Sequence, residues 1–346
     1  MTVRLGVLGF GKLGAIHAEH VATSERARLV AVCDADPGAV QRARDRYAVP
    51  ATTDLAEFFD RDLDGVVIAS PTPLHPEHIR AVARAGKAVF TEKPVGLSLA
   101  HTDEVLAEVA ETGVLFQIGF QRRWDERYRL VKKVIDSGDI GEPVLLKAHG
   151  RDPDASNPAN WGLDRNGGLF LNCAIHDYDV ARYLLGREVE AVGATGGALV
   201  HKALAERGDL DTCFTTLFFG EEAIAHTEWS RYAAYGYDVA LEVVGTRGIV
   251  HFGRDQDHAV LVRDIRGGLT VFDVFADAYR RSIEAFASAI ADGTPATPGI
   301  HDARVALQIA LTARASCAAG GTRMPIPPLP SLRRLTPVGD SGPVGN

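Results

Sequence analysis

Short apolar runs alternate with amphipathic stretches through the first 120 residues of the chain. The runs at 3–8, 28–33, 66–70, 87–91 and 114–119 read as strands, and the segments at about 13–22, 37–46, 76–85 and 99–112 read as helices. Ser98 stands where the fourth helix wants an N-cap, and Gly86 and Gly113 stand just past two helix ends. Strand and helix in strict alternation imply an α/β fold built on a parallel, doubly wound sheet.

After Gln121-Arg122-Arg123-Trp124 the pattern changes. A helix at 126–137, stopped by Gly138, leads to a strand at 143–149 and a loop rich in Asp, Asn and Pro at 151–167. A helix at about 168–185 follows, ended by Gly186. Strands are then predicted at 188–199, 211–219, 222–230, 237–244, 248–253, 258–264 and 269–273. Alternating stretches such as Thr212-Cys213-Phe214-Thr215-Thr216-Leu217-Phe218 suit an antiparallel sheet with one covered face. Helices at 275–291 and 301–318 close the pattern, and the Pro- and Gly-rich tail from Pro325 reads as extended or mobile. The expected division is a nucleotide-binding domain at 1–122, an α+β domain with a large, mainly antiparallel sheet at 123–324, and a tail at 325–346. The closing helices are free in this scheme to pack back on the first domain.

Composition narrows the function classes. A net charge of −8 argues against nucleic acid or an anionic membrane surface as partner. The chain enters a strand at once, with no signal-peptide pattern, and no apolar run approaches the roughly 20 residues a membrane span needs. Cys33, Cys173, Cys213 and Cys317 lie far apart without a CxxC pair, as reduced thiols of a cytoplasmic protein do.

The chemistry concentrates at strand ends. Gly9-Phe10-Gly11-Lys12-Leu13-Gly14 is a GxGxxG turn between a strand and a helix, the context in which such a turn binds a dinucleotide pyrophosphate in a Rossmann fold. Asp34 ends the second strand, where a carboxylate accepts from ribose hydroxyls and repels a 2′-phosphate, so NAD is expected in preference to NADP. Glu92-Lys93-Pro94 follows the fourth predicted strand and sets Lys93 on the ligand-binding rim; its alternative is an ordinary solvated lysine. Ser70-Pro71-Thr72-Pro73-Leu74-His75 is the neighbouring rim loop, expected to line the cofactor with Ser70 and Thr72. His75 reads either as a residue near the nicotinamide or as part of a turn before a helix. Asn172 and His176 are four apart on one helix face, and a neutral imidazole suits a general base for an alcohol proton. Cys173 and His176 have metal-pair spacing but no partner pair, so no metal is expected.

Taken together these motifs resemble the Gfo/Idh/MocA oxidoreductases, and among them the bacterial inositol dehydrogenases, over roughly residues 3–320. Gly119-Phe120-Gln121-Arg122-Arg123-Trp124-Asp125, Ile175-His176-Asp177-Tyr178-Asp179 and Tyr235-Gly236-Tyr237-Asp238 belong to the same likeness. The resemblance implies a Lys–Asp–His catalytic set carried by Lys93, position 172 and His176, with a Lys93–Pro94 bond that is often cis in the family. It implies that Glu92 lies beside the cofactor, that Arg122 and Tyr235 line the polyol pocket, and that the long sheet is a tetramer interface. One departure stands out: position 172 is Asn172 where the inositol enzymes carry Asp.

The expected activity is NAD-dependent oxidation of a secondary hydroxyl of a cyclitol, myo-inositol or a close derivative, with His176 as base and Lys93 on the reacting oxygen. A sugar or aminocyclitol oxidoreductase or ketoreductase stays open through Asn172. An NAD(H)-binding regulator without turnover is the reading from another class, and Lys93 with His176 argues against it.

Overall fold

The computed structural model describes residues 2–153, 162–233, 235–253 and 270–327. Its first half runs β1 (Val3–Leu8), α1 (Lys12–Ala22), β2 (Ala27–Cys33), α2 (Pro37–Tyr47), β3 (Ala51–Thr52), α3 (Leu55–Phe59), β4 (Gly65–Ile68), α4 (His75–Arg84), β5 (Ala88–Thr91), α5 (Leu99–Thr112) and β6 (Phe116–Ile118). The six strands form one parallel sheet in the order β3-β2-β1-β4-β5-β6. The chain winds outward from β1 in both directions, so the order switches between β1 and β4 and a crevice opens at their carboxyl ends. Residues of β4 and β5 are buried throughout, as central parallel strands covered on both faces must be.

Two elements escape the sequence pattern. Strand β3 is two residues long and α3 five, too short for any periodicity to register; α3 is held by Asp54, whose carboxylate caps the amides of Ala56 and Glu57. The strand carrying Thr91 is therefore the fifth of the sheet, not the fourth.

The second half runs α6 (Glu126–Asp136), β7 (Pro143–Arg151), α7 (Leu163–Asn166), α8 (Ile175–Leu185), β8 (Ala191–Gly197), β9 (Thr212–Phe219), β10 (Ala223–Ser230), β11 (Asp238–Gly245), β12 (Ile249–Phe252), α9 (Val271–Val274), α10 (Ala276–Asp292), α11 (Ile300–Ala318) and β13 (Met324–Pro325). Its seven strands are ordered β12-β11-β7-β10-β9-β8-β13, antiparallel except for β7 beside β10. Burial alternates along β9 and β10, so one face packs on the core and the other is open. Helix α8 packs on β7 and α11 on β8 beneath the covered face. Helix α10 returns to the first sheet, where Ile283, Phe286 and Ala287 join Leu5, Val7 and Phe90 in one cluster.

Three further expectations change. The strand predicted at 269–273 is replaced over its described part by helix α9, because Asp273 accepts from both the backbone and the hydroxyl of Thr270 and closes a helical turn instead. The helix predicted at 168–185 begins as a widened, π-type turn at Phe170–Ala174 before α8 proper. Pro325 is not loose tail but pairs in β13 with Ala191, an edge position where a missing N–H is tolerated. The strand predicted at 258–264 and the tail beyond 327 lie outside the described residues.

Candidate active site

The glycine turn at the end of β1 is dictated by space. Gly9 has a left-handed φ of 96°, and a Cβ there would lie 2.5 Å from the Ser70 amide nitrogen. A Cβ on Gly14 would lie 1.8 Å from the Gly9 carbonyl oxygen, so helix and strand meet only without one. Gly11 differs: nothing stands within 4 Å of its would-be Cβ, which leaves the backbone open to a ligand rather than filled by protein. This opening belongs to a cleft of about 850 Å³ lined by Gly9, Gly11, Leu13, Asp34, Ser70 and Thr72 among others. The N-terminus of α1 faces it, the geometry that receives a pyrophosphate.

Asp34 binds the turn to the cleft wall. Its two oxygens accept from the Phe10 amide at 2.5 Å and the Asp36 amide at 2.8 Å, which orients the carboxylate at the ribose end. Those bonds leave lone pairs for hydroxyl donors. Two side chains of the motif have other duties. Phe10 packs edge-on against Tyr47, and the Lys12 ammonium sits 4.5 Å above the Phe272 ring.

At the end of β5, Glu92 and Lys93 point apart. Glu92 is buried, and its carboxylate accepts at 2.8 Å from Nε2 of His17, a fully buried residue of α1. Its expected place beside the cofactor thus becomes an anchor between β5 and α1. His17 was missed in the sequence; its place on the buried face of α1 with Gly14, Ala18 and Val21 was the available signal. The Lys93–Pro94 peptide bond is cis. Lys93 Nζ donates to the Asn172 backbone carbonyl at 2.6 Å and lies 3.4 Å from its side-chain oxygen. Burial, offset in part by Cys173 and Glu92, lowers the lysine pKa.

His75 lies beneath the rim rather than on it. Its ring nitrogens stand 2.7 Å from the Pro94 carbonyl and 2.8 Å from the Ser70 carbonyl, so it ties the two rim loops together. Of its two sequence readings the structural one describes its contacts.

The widened turn at 170–174 delivers Asn172 to Lys93, and the first turn of α8 places His176 against Phe120 with ring centroids 6.2 Å apart. Turns of this type interrupt helices at functional sites. Lys93, Asn172 and His176 therefore converge from two domains. His176 is 7% exposed and its Nδ1 has no partner among the described residues. Burial first, then the positive charges of Lys93 and Arg122, push its pKa well below the ordinary histidine value, so the imidazole is neutral at pH 7.

Arg122 takes a different position from the one expected. Its guanidinium is 1% exposed and Nη1 donates to Asp177 Oδ1 at 2.5 Å. The other Asp177 oxygen accepts from the indole N–H of Trp229, and the rings of Trp229, Tyr128 and Phe275 surround the cation within 5.8 Å. The Arg122 charge lies near enough to His176 to be among the causes that lower its pKa. Tyr235 precedes β11, its hydroxyl 3.4 Å from Asp238 Oδ2.

Comparison with known proteins agrees across the chain. Residues 3–120 match the oxidoreductase family with NAD-binding Rossmann fold, and residues 128–251 match the GFO/IDH/MocA C-terminal domain. The inositol 2-dehydrogenase of Rhizobium meliloti is 39% identical over 320 residues, covering 90% of this chain and 95% of that protein. The scyllo-inositol 2-dehydrogenase (NAD(+)) of Bacillus subtilis is 38% identical over 322 residues, covering 90% and 93%. Among solved structures, scyllo-inositol dehydrogenase from Lactobacillus casei with NAD(H) and scyllo-inositol superposes with a TM-score of 0.83 at 29% identity, covering 94% of this chain and 99% of that one.

Asp177→Asn strands the Arg122 cation in the interior and is expected to lower unfolding free energy by about 3–5 kcal/mol in urea titration. A loss below about 1 kcal/mol would mean that the pair is not the cation's main compensation.

Proposed function

The chain belongs to the GFO/IDH/MocA family of NAD-dependent oxidoreductases, and from that premise we propose that it oxidises one secondary hydroxyl of a cyclitol, myo-inositol or a close derivative, to the ketone. The supporting observation is the convergence of Lys93 with the turn that carries Asn172 and leads into His176. NAD, when bound, supplies the acceptor for the carbinol hydrogen as hydride. Gly9, Gly11 and Leu13 hold it with the helix N-terminus, and Asp34 takes the ribose hydroxyls.

Neutral His176 takes the hydroxyl proton. Lys93 donates a hydrogen bond to the same oxygen and stabilises the alkoxide character it acquires. Asn172 orients a neighbouring hydroxyl but, as an amide, neither carries charge nor shuttles a proton. Tyr235 borders the polyol pocket, and Arg122 contributes through the electrostatics of His176 rather than by touching substrate.

A second reading, an aminocyclitol or sugar oxidoreductase or ketoreductase, is favoured by Asn172, which makes the pocket chemically unlike that of the inositol enzymes. The four free cysteines suit a reducing compartment, and the cytoplasm is the location we propose.

The open face of the second sheet supplies an interface for self-association. Ile249, Val244, Leu145, Ile224 and Phe218 stand in register across five strands as one apolar row. We assign this row to contact between copies in a tetramer.

Absorbance at 340 nm with NAD and NADP against inositols, amino-inositols and aldoses is expected to show NAD-linked turnover on an inositol, with Lys93→Ala reducing kcat at least about 100-fold. Turnover confined to aldoses or amino-inositols would replace the cyclitol reading, and a Lys93→Ala enzyme within a few-fold of wild type would remove Lys93 from the chemistry. Asn172→Asp restores a carboxylate beside His176 and Lys93. It favours protonated His176 and raises its pKa, so the acidic limb of kcat/KM for oxidation is expected at higher pH; an unmoved limb counts against His176 as base. Sedimentation of Ile224→Glu is expected to show a species smaller than the wild-type tetramer, whereas unchanged mass would place the interface elsewhere.

A further inference from the structure

The charge inventory of the dinucleotide cleft is lopsided. A bound NAD brings a pyrophosphate with two negative charges, and the first domain turns none of its lysines or arginines to that cleft among the described lining residues. Lys12, the one basic residue of the glycine turn, is held over the Phe272 ring. Asp34 and Asp36 of the first domain and Asp164 of α7 are the acidic lining residues; Asp36 also caps α2 through the amides of Gly38 and Ala39. His78 lines the cleft with its Nδ1 2.8 Å from the Ser70 hydroxyl, and burial lowers its pKa, which keeps it neutral.

The single Lys or Arg among the described lining residues comes from the other domain. Arg165 is exposed at the end of α7, the short helix that packs against the 72–74 turn across the cleft mouth. No described residue forms an ion pair with it. The chain that carries it continues through Gly167-Gly168 into the widened turn of Asn172. Gly168 donates its amide to Asn166 Oδ1 at 3.1 Å, and the next residue is fixed by Asp209, whose Oδ1 accepts from the Leu169 amide at 2.9 Å and whose Oδ2 accepts from Arg231 at 2.9 Å.

We propose that Arg165 is a cofactor-binding residue: it reaches from the second domain to the dinucleotide and supplies the positive charge that its pyrophosphate lacks in the first. The glycine amides and helix N-terminus give partial charge and directed donors, and Arg165 adds a full charge with a planar fork of donors suited to phosphate oxygens. A bound cofactor thereby adds a second tie between α7 and the Rossmann domain, beside its packing on the 72–74 turn, and steadies the segment that leads to Asn172 and His176.

The test reads binding, not turnover, so it stands apart from the identity of the polyol. NADH affinity by fluorescence and ADP-ribose affinity by calorimetry are measured for the full-length wild type, Arg165→Ala and Arg165→Lys, with matched thermal melts. Arg165→Ala is expected to weaken both ligands about tenfold, because both carry the pyrophosphate. Its affinity is also expected to fall less steeply with added salt than that of wild type. Arg165→Lys is expected to recover at least half of the loss on a logarithmic scale. Affinities within twofold of wild type, an unchanged salt dependence, or a lysine variant as weak as the alanine one would each overturn the proposal.

Discussion

A guanidinium removed almost wholly from water needs a partner that stays with it, and Asp177 is that partner for Arg122. The pair joins the turn that follows the last strand of the parallel sheet to the helix that carries His176. Buried ion pairs seldom stabilise more than well-packed apolar side chains of the same volume would. What this one contributes is register. With Trp229 holding the second carboxylate oxygen, α8 has one favourable rotation, and that rotation sets the imidazole against Phe120. The same cation helps keep the imidazole unprotonated, so one contact serves both placement and proton affinity.

How much of this was legible in the sequence depends on whether the determinant was local. The GxGxxG turn, Asp34 and the strand ends announced themselves because close packing and ligand approach demand particular residues at adjacent positions. Lys93 was marked by its place at a strand end before Pro94, and His176 by its spacing from Asn172 together with the family likeness. The roles of Glu92, His75 and Arg122 were not, since each is decided by a partner far along the chain: His17 for Glu92, the carbonyls of Ser70 and Pro94 for His75, Asp177 for Arg122. A charged residue at the rim of a ligand-binding sheet looks like a ligand contact until its partner is seen. Elements failed in the same way. Strand β3 is too short to show a period, and the apolar run that became α9 was redirected by one Thr–Asp cap.

An amide rather than a carboxylate at position 172 bears on the balance of charge more than on the geometry. Lys93 finds its strongest acceptor in the backbone carbonyl of Asn172, an oxygen every residue provides. The side-chain oxygen, at 3.4 Å, is the weaker contact. A lysine can therefore be held in place at this turn without a carboxylate, and what the amide withholds is negative charge near a histidine already disposed to remain neutral.

The order of the two sheets along the chain has a bearing on how such a protein changes its substrate over generations. Everything that handles the dinucleotide's adenosine end, together with Lys93, is laid down before residue 120, whereas Asn172, His176 and Tyr235 come after it. Redox capacity and choice of alcohol are thus written largely in separate stretches of sequence, which meet at the Lys93–Asn172 contact and at the Arg122–Asp177 pair. Drift in the later stretch can explore new polyols while the earlier one stays under constant demand. The amide at position 172 sits on the later side of that seam.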